Sequence, residues 1–102
     1  ITPSMNVEHL DIESNVDVGV MAVWTLELPP GYRVKIQTFA DNDVDLYLQM
    51  NTEPTTSEHL MSACFLSGNE SLEYLTSQGG TLHIGVFGYE ASSFVLKTME
   101  MP

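Results

Sequence analysis

Apolar and polar residues alternate along most of this chain with a period of two. From Val20 to Leu28, Ala22, Trp24, Leu26 and Leu28 share one face, and Met21, Val23, Thr25 and Glu27 share the other. Tyr32, Val34 and Ile36 oppose Arg33, Lys35 and Gln37. Val44, Leu46, Leu48 and Met50 oppose Asp45, Tyr47 and Gln49. Leu82, Ile84 and Val86 oppose His83, Gly85 and Phe87, and Phe94, Leu96 and Thr98 oppose Val95, Lys97 and Met99. Successive side chains of a strand point to opposite faces, so this pattern predicts strands with one buried face.

Turn residues separate the runs. Pro29-Pro30-Gly31, Asp41-Asn42-Asp43, Ser67-Gly68-Asn69, Gln78-Gly79-Gly80 and Glu90-Ala91-Ser92 each break a strand. Met5 to Ile12 reads as a first edge strand and Glu13 to Asp17 as a polar turn. Between Thr52 and Phe65 we expect a loop followed by a short strand. Strands recurring about every ten residues predict an all-β sandwich or barrel. A length of 102 residues suits one domain over 1–102.

Charge narrows the function classes. Fourteen acidic residues face three basic ones, for a net charge of −11. Phosphate contacts need a positive patch, so no nucleic acid and no anionic membrane surface is expected as a partner. No run approaches the 18 or more apolar residues of a membrane-spanning helix. The single cysteine, Cys64, allows no internal disulfide, and its apolar surroundings in Met61-Ser62-Ala63-Cys64-Phe65-Leu66 predict a buried thiol. Ile1 to Pro102 reads as a piece of a longer protein.

The order of several short motifs resembles the bacterial pre-peptidase C-terminal domain family, which is related to the collagen-binding domains of clostridial collagenases. Asp43-Val44-Asp45-Leu46-Tyr47-Leu48 followed by Pro54-Thr55-Thr56 resembles its D-x-D-L-Y … P-T-T signature. Ser67-Gly68-Asn69-Glu70 resembles its S-G-N-x-E turn, and Gly80 to Tyr89 its G-T-x-x-I-x-V-x-G-Y strand. Phe94-Val95-Leu96-Lys97 resembles the closing strand, and Trp24 to Gly31 the earlier aromatic strand with its P-x-G turn. The likeness spans about residues 20–99. It implies a jelly-roll-like antiparallel β-sandwich of about eight strands. It also implies a secreted, non-catalytic accessory module joined in the same chain to a parent hydrolase. Two positions depart from the pattern. Leu72 stands where many members carry a second cysteine, and His83, Gly85 and Phe87 replace tyrosines of the collagen-binding relatives.

Two sets of residues carry candidate chemistry. Asp41, Asp43 and Asp45, with Asn42 between, place oxygen ligands at the close spacing a hard cation such as calcium requires. Leu46 and Thr52 occupy the glycine and bidentate-glutamate positions of an EF-hand loop, which excludes that motif. Asp and Asn also simply cap and solvate turns. Glu8, Asp11, Glu13 and Asp17 form a second acidic set. The other candidate is an outward aromatic surface of Tyr47, His83, Phe87 and Tyr89, suited to sugar rings or a fibrous protein.

Catalytic patterns are weak. His9, His59 and His83 lack zinc-ligand spacing, and there is no G-x-S-x-G elbow. Asp45 and Glu70 suggest a carboxylate pair, but a small sandwich offers little cleft. Asn69-Glu70-Ser71 is a glycosylation sequon. The expected function is therefore targeting of a parent enzyme to an extracellular polymer, collagen or polysaccharide. The competing readings are a processing module that aids secretion and is removed on maturation, and a calcium-dependent adhesion domain.

Overall fold

The computed structural model describes residues 7–64 and 68–102. Among these it forms eight strands and no helix. They are β1 (Asp11–Val16), β2 (Met21–Leu28), β3 (Tyr32–Ala40), β4 (Val44–Met50), β5 (Met61–Ala63), β6 (Glu70–Thr76), β7 (Gly80–Gly88) and β8 (Ser92–Glu100). One sheet has the order β1-β8-β3-β6 and the other β2-β7-β4-β5, with every pairing antiparallel. Two interleaved four-stranded sheets of this order make a jelly roll.

The period-two faces meet as expected. Leu26, Leu28, Val44, Leu46, Leu48, Leu82, Ile84 and Val86 of one sheet bury against Val16, Val34, Ile36, Phe94 and Leu96 of the other. Trp24 and Phe94 join the layers edge to face, with ring centroids 5.7 Å apart. Burying a large aliphatic side chain is worth about 1.5–3 kcal/mol, so this interior supplies the main driving force for closure.

The N-terminal segment differs from the edge strand and turn expected of it. Residues 7–10 are not in a strand, and Glu13 to Val16, expected as a turn, lies inside β1. Met5 and Asn6 lie outside the described residues. β1 is polar on its outer face, where Asp11, Glu13 and Asn15 are exposed. Its strand state comes from pairing with β8, Asp11 opposite Lys97 through Val16 opposite Ser92. His9 bridges this segment to the sheet, with Nδ1 2.9 Å from Thr98 Oγ1 and Nε2 2.7 Å from Tyr32 Oη. The Leu10 N–H also donates to Thr98 Oγ1 at 2.8 Å.

Candidate functional site

The end of turn 41–43, the start of β4 and the start of β6 bring three buried carboxylates together. Val44, Leu46 and Leu48 turn into the core, so Asp45 and Tyr47 fall on the outer face of β4, and Asp43 stands just before the strand. β5 covers the edge of β4 only from Leu46 to Leu48. Past that point the first residue of β6, Glu70, reaches β4. One carboxylate oxygen from each of Asp43, Asp45 and Glu70 lies within 4.8 Å of the other two. All three residues are buried, with exposures of 9%, 7% and 2%.

Local chemistry explains how Glu70 arrives there. A Cβ on Gly68 would lie 2.3 Å from the Asn42 carbonyl oxygen and 2.5 Å from Ala40 Cβ. Only glycine lets the chain pass so close to the turn. Buried Thr38 then fixes the exit: its Oγ1 donates to the Gly68 carbonyl and accepts from the Glu70 N–H, both at 3.2 Å. On the other side of the pocket, the Asp43 N–H donates to Glu90 Oε1 at 3.1 Å.

The electrostatics are one-sided. Among the described residues, Asp43 Oδ1 is buried with no hydrogen-bond partner. Burial, and then the neighbouring Asp43 charge, raise the Asp45 carboxyl above the usual carboxylate range. The chain's three basic residues, Arg33, Lys35 and Lys97, lie on outward positions of the other sheet. Asp41, placed in this set by its sequence position, is instead exposed, and Ser93 Oγ donates to its Oδ2 at 3.4 Å. Glu70 takes its place. Sequence alone does pair Asp45 with Glu70, but as a catalytic couple and without Asp43.

The expected aromatic surface divides. Tyr47 lies on the outer face, but it is 6% exposed and is not available at the surface. The segment 54–60 folds over it. Buried Pro54 crosses Gly85, and the His59 ring meets the Tyr47 ring at 4.8 Å, edge to face. Phe87 also meets the Tyr47 ring edge to face, at 6.4 Å. Burial and a hydrogen bond from Cys64 Sγ at 3.4 Å hold the Tyr47 phenol protonated well past its ordinary range. Cys64, expected to be buried, is exposed. His83 and Phe87 are half-buried, and His83 Nδ1 is buried without a partner among the described residues.

Tyr89 is 64% exposed and has different companions from those expected. The 17–20 turn is clamped to the end of β7, with Gly19 N–H donating to Gly88 O at 2.7 Å and Gly88 N–H to Val20 O at 3.0 Å. A Cβ on Gly88 would lie 2.3 Å from the Asp17 carbonyl oxygen, so the clamp requires glycine. Val18 and Val20 are exposed on this turn, and Tyr89 follows Gly88, to which the turn is bonded. Three large apolar side chains therefore sit on two loops bound to each other at one end of the sandwich.

No protein-family model and no curated protein sequence matches the chain. Solved structures do match its fold. The crystal structure of Aeromonas hydrophila PliG, a periplasmic lysozyme inhibitor of g-type lysozyme, is similar at a TM-score of 0.75. The match has 10% identity and covers 99% of this chain and 93% of that one. The pre-peptidase C-terminal domain of collagenase from Bacillus anthracis is similar at a TM-score of 0.70, with 9% identity over 89% of each chain. The fold expected from the D-x-D-L-Y and S-G-N-x-E motifs is thus the fold observed.

Proposed function

We propose that this domain is a non-catalytic module that works outside the cytoplasm and holds a parent hydrolase on an extracellular polymer. The observation that carries the reading is the exposed set of Tyr89, Val18 and Val20 on clamped loops. Large apolar groups on a rigid rim bind with little loss of conformational freedom, and an aromatic ring stacks on sugar rings or packs into a fibrous protein groove. The likeness to a collagenase domain supports an accessory role. Binding to collagen, chitin and cellulose tests it. Wild-type protein is expected to co-sediment with at least one polymer, and Tyr89→Ala to lose that binding at unchanged melting temperature. Failure of the wild type on all three defeats the reading.

A second reading is favoured by the near-complete overlap with PliG. Here the same loops dock a protein, and a net charge of −11 suits a basic one. Inhibition of a g-type lysozyme by the isolated domain, lost in Tyr89→Ala, would support this reading over the first.

A further inference from the structure

We propose that Asp43, Asp45 and Glu70 hold one divalent cation of the calcium class, which ties the two sheets together at the end of the sandwich that carries Tyr89. The donor set is oxygen only, from three carboxylates, with no histidine or thiol among them. That composition selects hard cations over zinc or copper. Calcium binds oxygen at 2.3–2.6 Å, so oxygens on opposite sides of one ion stand roughly 4.6–5.2 Å apart. The separations here, within 4.8 Å, fit around a single ion of that size.

Burial is the second observation. A buried carboxylate oxygen without a hydrogen-bond donor is expensive, and three clustered carboxylates repel one another. Asp43 Oδ1 is such an oxygen, on a residue only 9% exposed. The basic residues of the chain project from the outer face of the other sheet and do not serve this pocket. A cation between the three groups removes both penalties. Its position also gives it a task. Asp45 belongs to β4 of one sheet and Asp43 immediately precedes it, Glu70 belongs to β6 of the other, and the two strands share no ladder. The ion would bridge them past the end of β5, which covers the edge of β4 only from Leu46 to Leu48. This site does not depend on what Tyr89 touches.

The test uses the whole domain, dialysed against EGTA and then titrated with calcium chloride. Melting temperature and amide NMR shifts are read together. A ligand that binds only the native state raises its stability with concentration, and at a hundredfold excess over Kd the expected rise is about 10 °C or more. The largest shifts should fall on amides 42–46 and 68–71. Asp43→Asn and Glu70→Gln should lose at least tenfold in calcium affinity, while Asp41→Asn should stay within about twofold. Equal melting temperatures in EGTA and in 5 mM calcium overturn the proposal, whatever the variants do. So does a calcium response confined to amides 8–17, which would place the ion on the N-terminal acidic set.

Discussion

Pro54 lies flat across the backbone of Gly85, so close that a Cβ on the glycine would stand 2.9 Å from Pro54 Cγ and 2.6 Å from Met21 Sδ. This contact seals the outer face of β4 and β7 and takes Tyr47 out of solvent. Gly85→Ala should therefore overpack the seam and destabilise by about 1–3 kcal/mol. Chemical denaturation will measure it. Adding Pro54→Ala should restore part of the loss, because it removes one of the two clashing groups.

The interior and the rim should respond to very different degrees. Ile36 is fully buried, and Ile36→Ala should cost about 2–5 kcal/mol through lost transfer energy and the cavity left behind. Val18 is 66% exposed, and Val18→Ser should change stability by no more than about 0.5 kcal/mol. Paired urea melts separate the two. A large loss at Val18 would mean that the loop rim is part of the fold rather than a free surface.

Alkaline pH should loosen the N-terminal attachment. Burial, then the Glu100 charge, raise the Tyr32 phenol above its usual value near 10. An acid whose folded pKa is raised holds its proton more tightly in the native state. Its contribution is complete below the unfolded value and is lost as pH rises through the folded one. Stability should thus fall with pH above about 10, and Tyr32→Phe should fall less steeply. Melting temperatures from pH 8 to 11 provide the comparison.

In calcium-free solution, Asp45→Asn should stabilise the domain at neutral pH. The change removes a buried charge beside Asp43 and keeps the side-chain volume. Calorimetry in EGTA should show a melting temperature a few degrees above wild type, and in saturating calcium the order should reverse. A drop in EGTA would mean that the Asp45 charge is already balanced within the protein.

Strand parity made most of this molecule legible. Trp24, Ile36, Leu46, Ile84 and Leu96 alternate cleanly, and all of them pack in or against the interior. β1 escaped because Asp-Ile-Glu-Ser-Asn-Val has too few apolar residues to stand out, and only the β8 ladder makes it a strand. Tyr47 shows a second limit. Parity names a face, but it does not reveal that residues 54–60 return to cover that face. The acidic pocket shows a third. Asp41 and Asp43 are neighbours in sequence yet diverge around the turn, while Glu70 arrives from the other sheet past Gly68. The D-x-D and S-G-N-E motifs were visible, but nothing in their spacing shows that they meet.

The β1–β8 ladder carries a mechanical consequence. Asp11 stands opposite Lys97, so the chain enters and leaves the sandwich on adjacent strands at the same pole. The carboxylate pocket and the Tyr89 rim lie at the far pole, where Val16 stands opposite Ser92. Six residues of antiparallel strand separate the two, about 20 Å. A pull applied through both tethers would load β8 and its ladders with β1 and β3 from the base, before it reached the distal loops. The same geometry would let the domain be spliced into a surface hairpin of a host protein, anchored by its base with its working tip held outward.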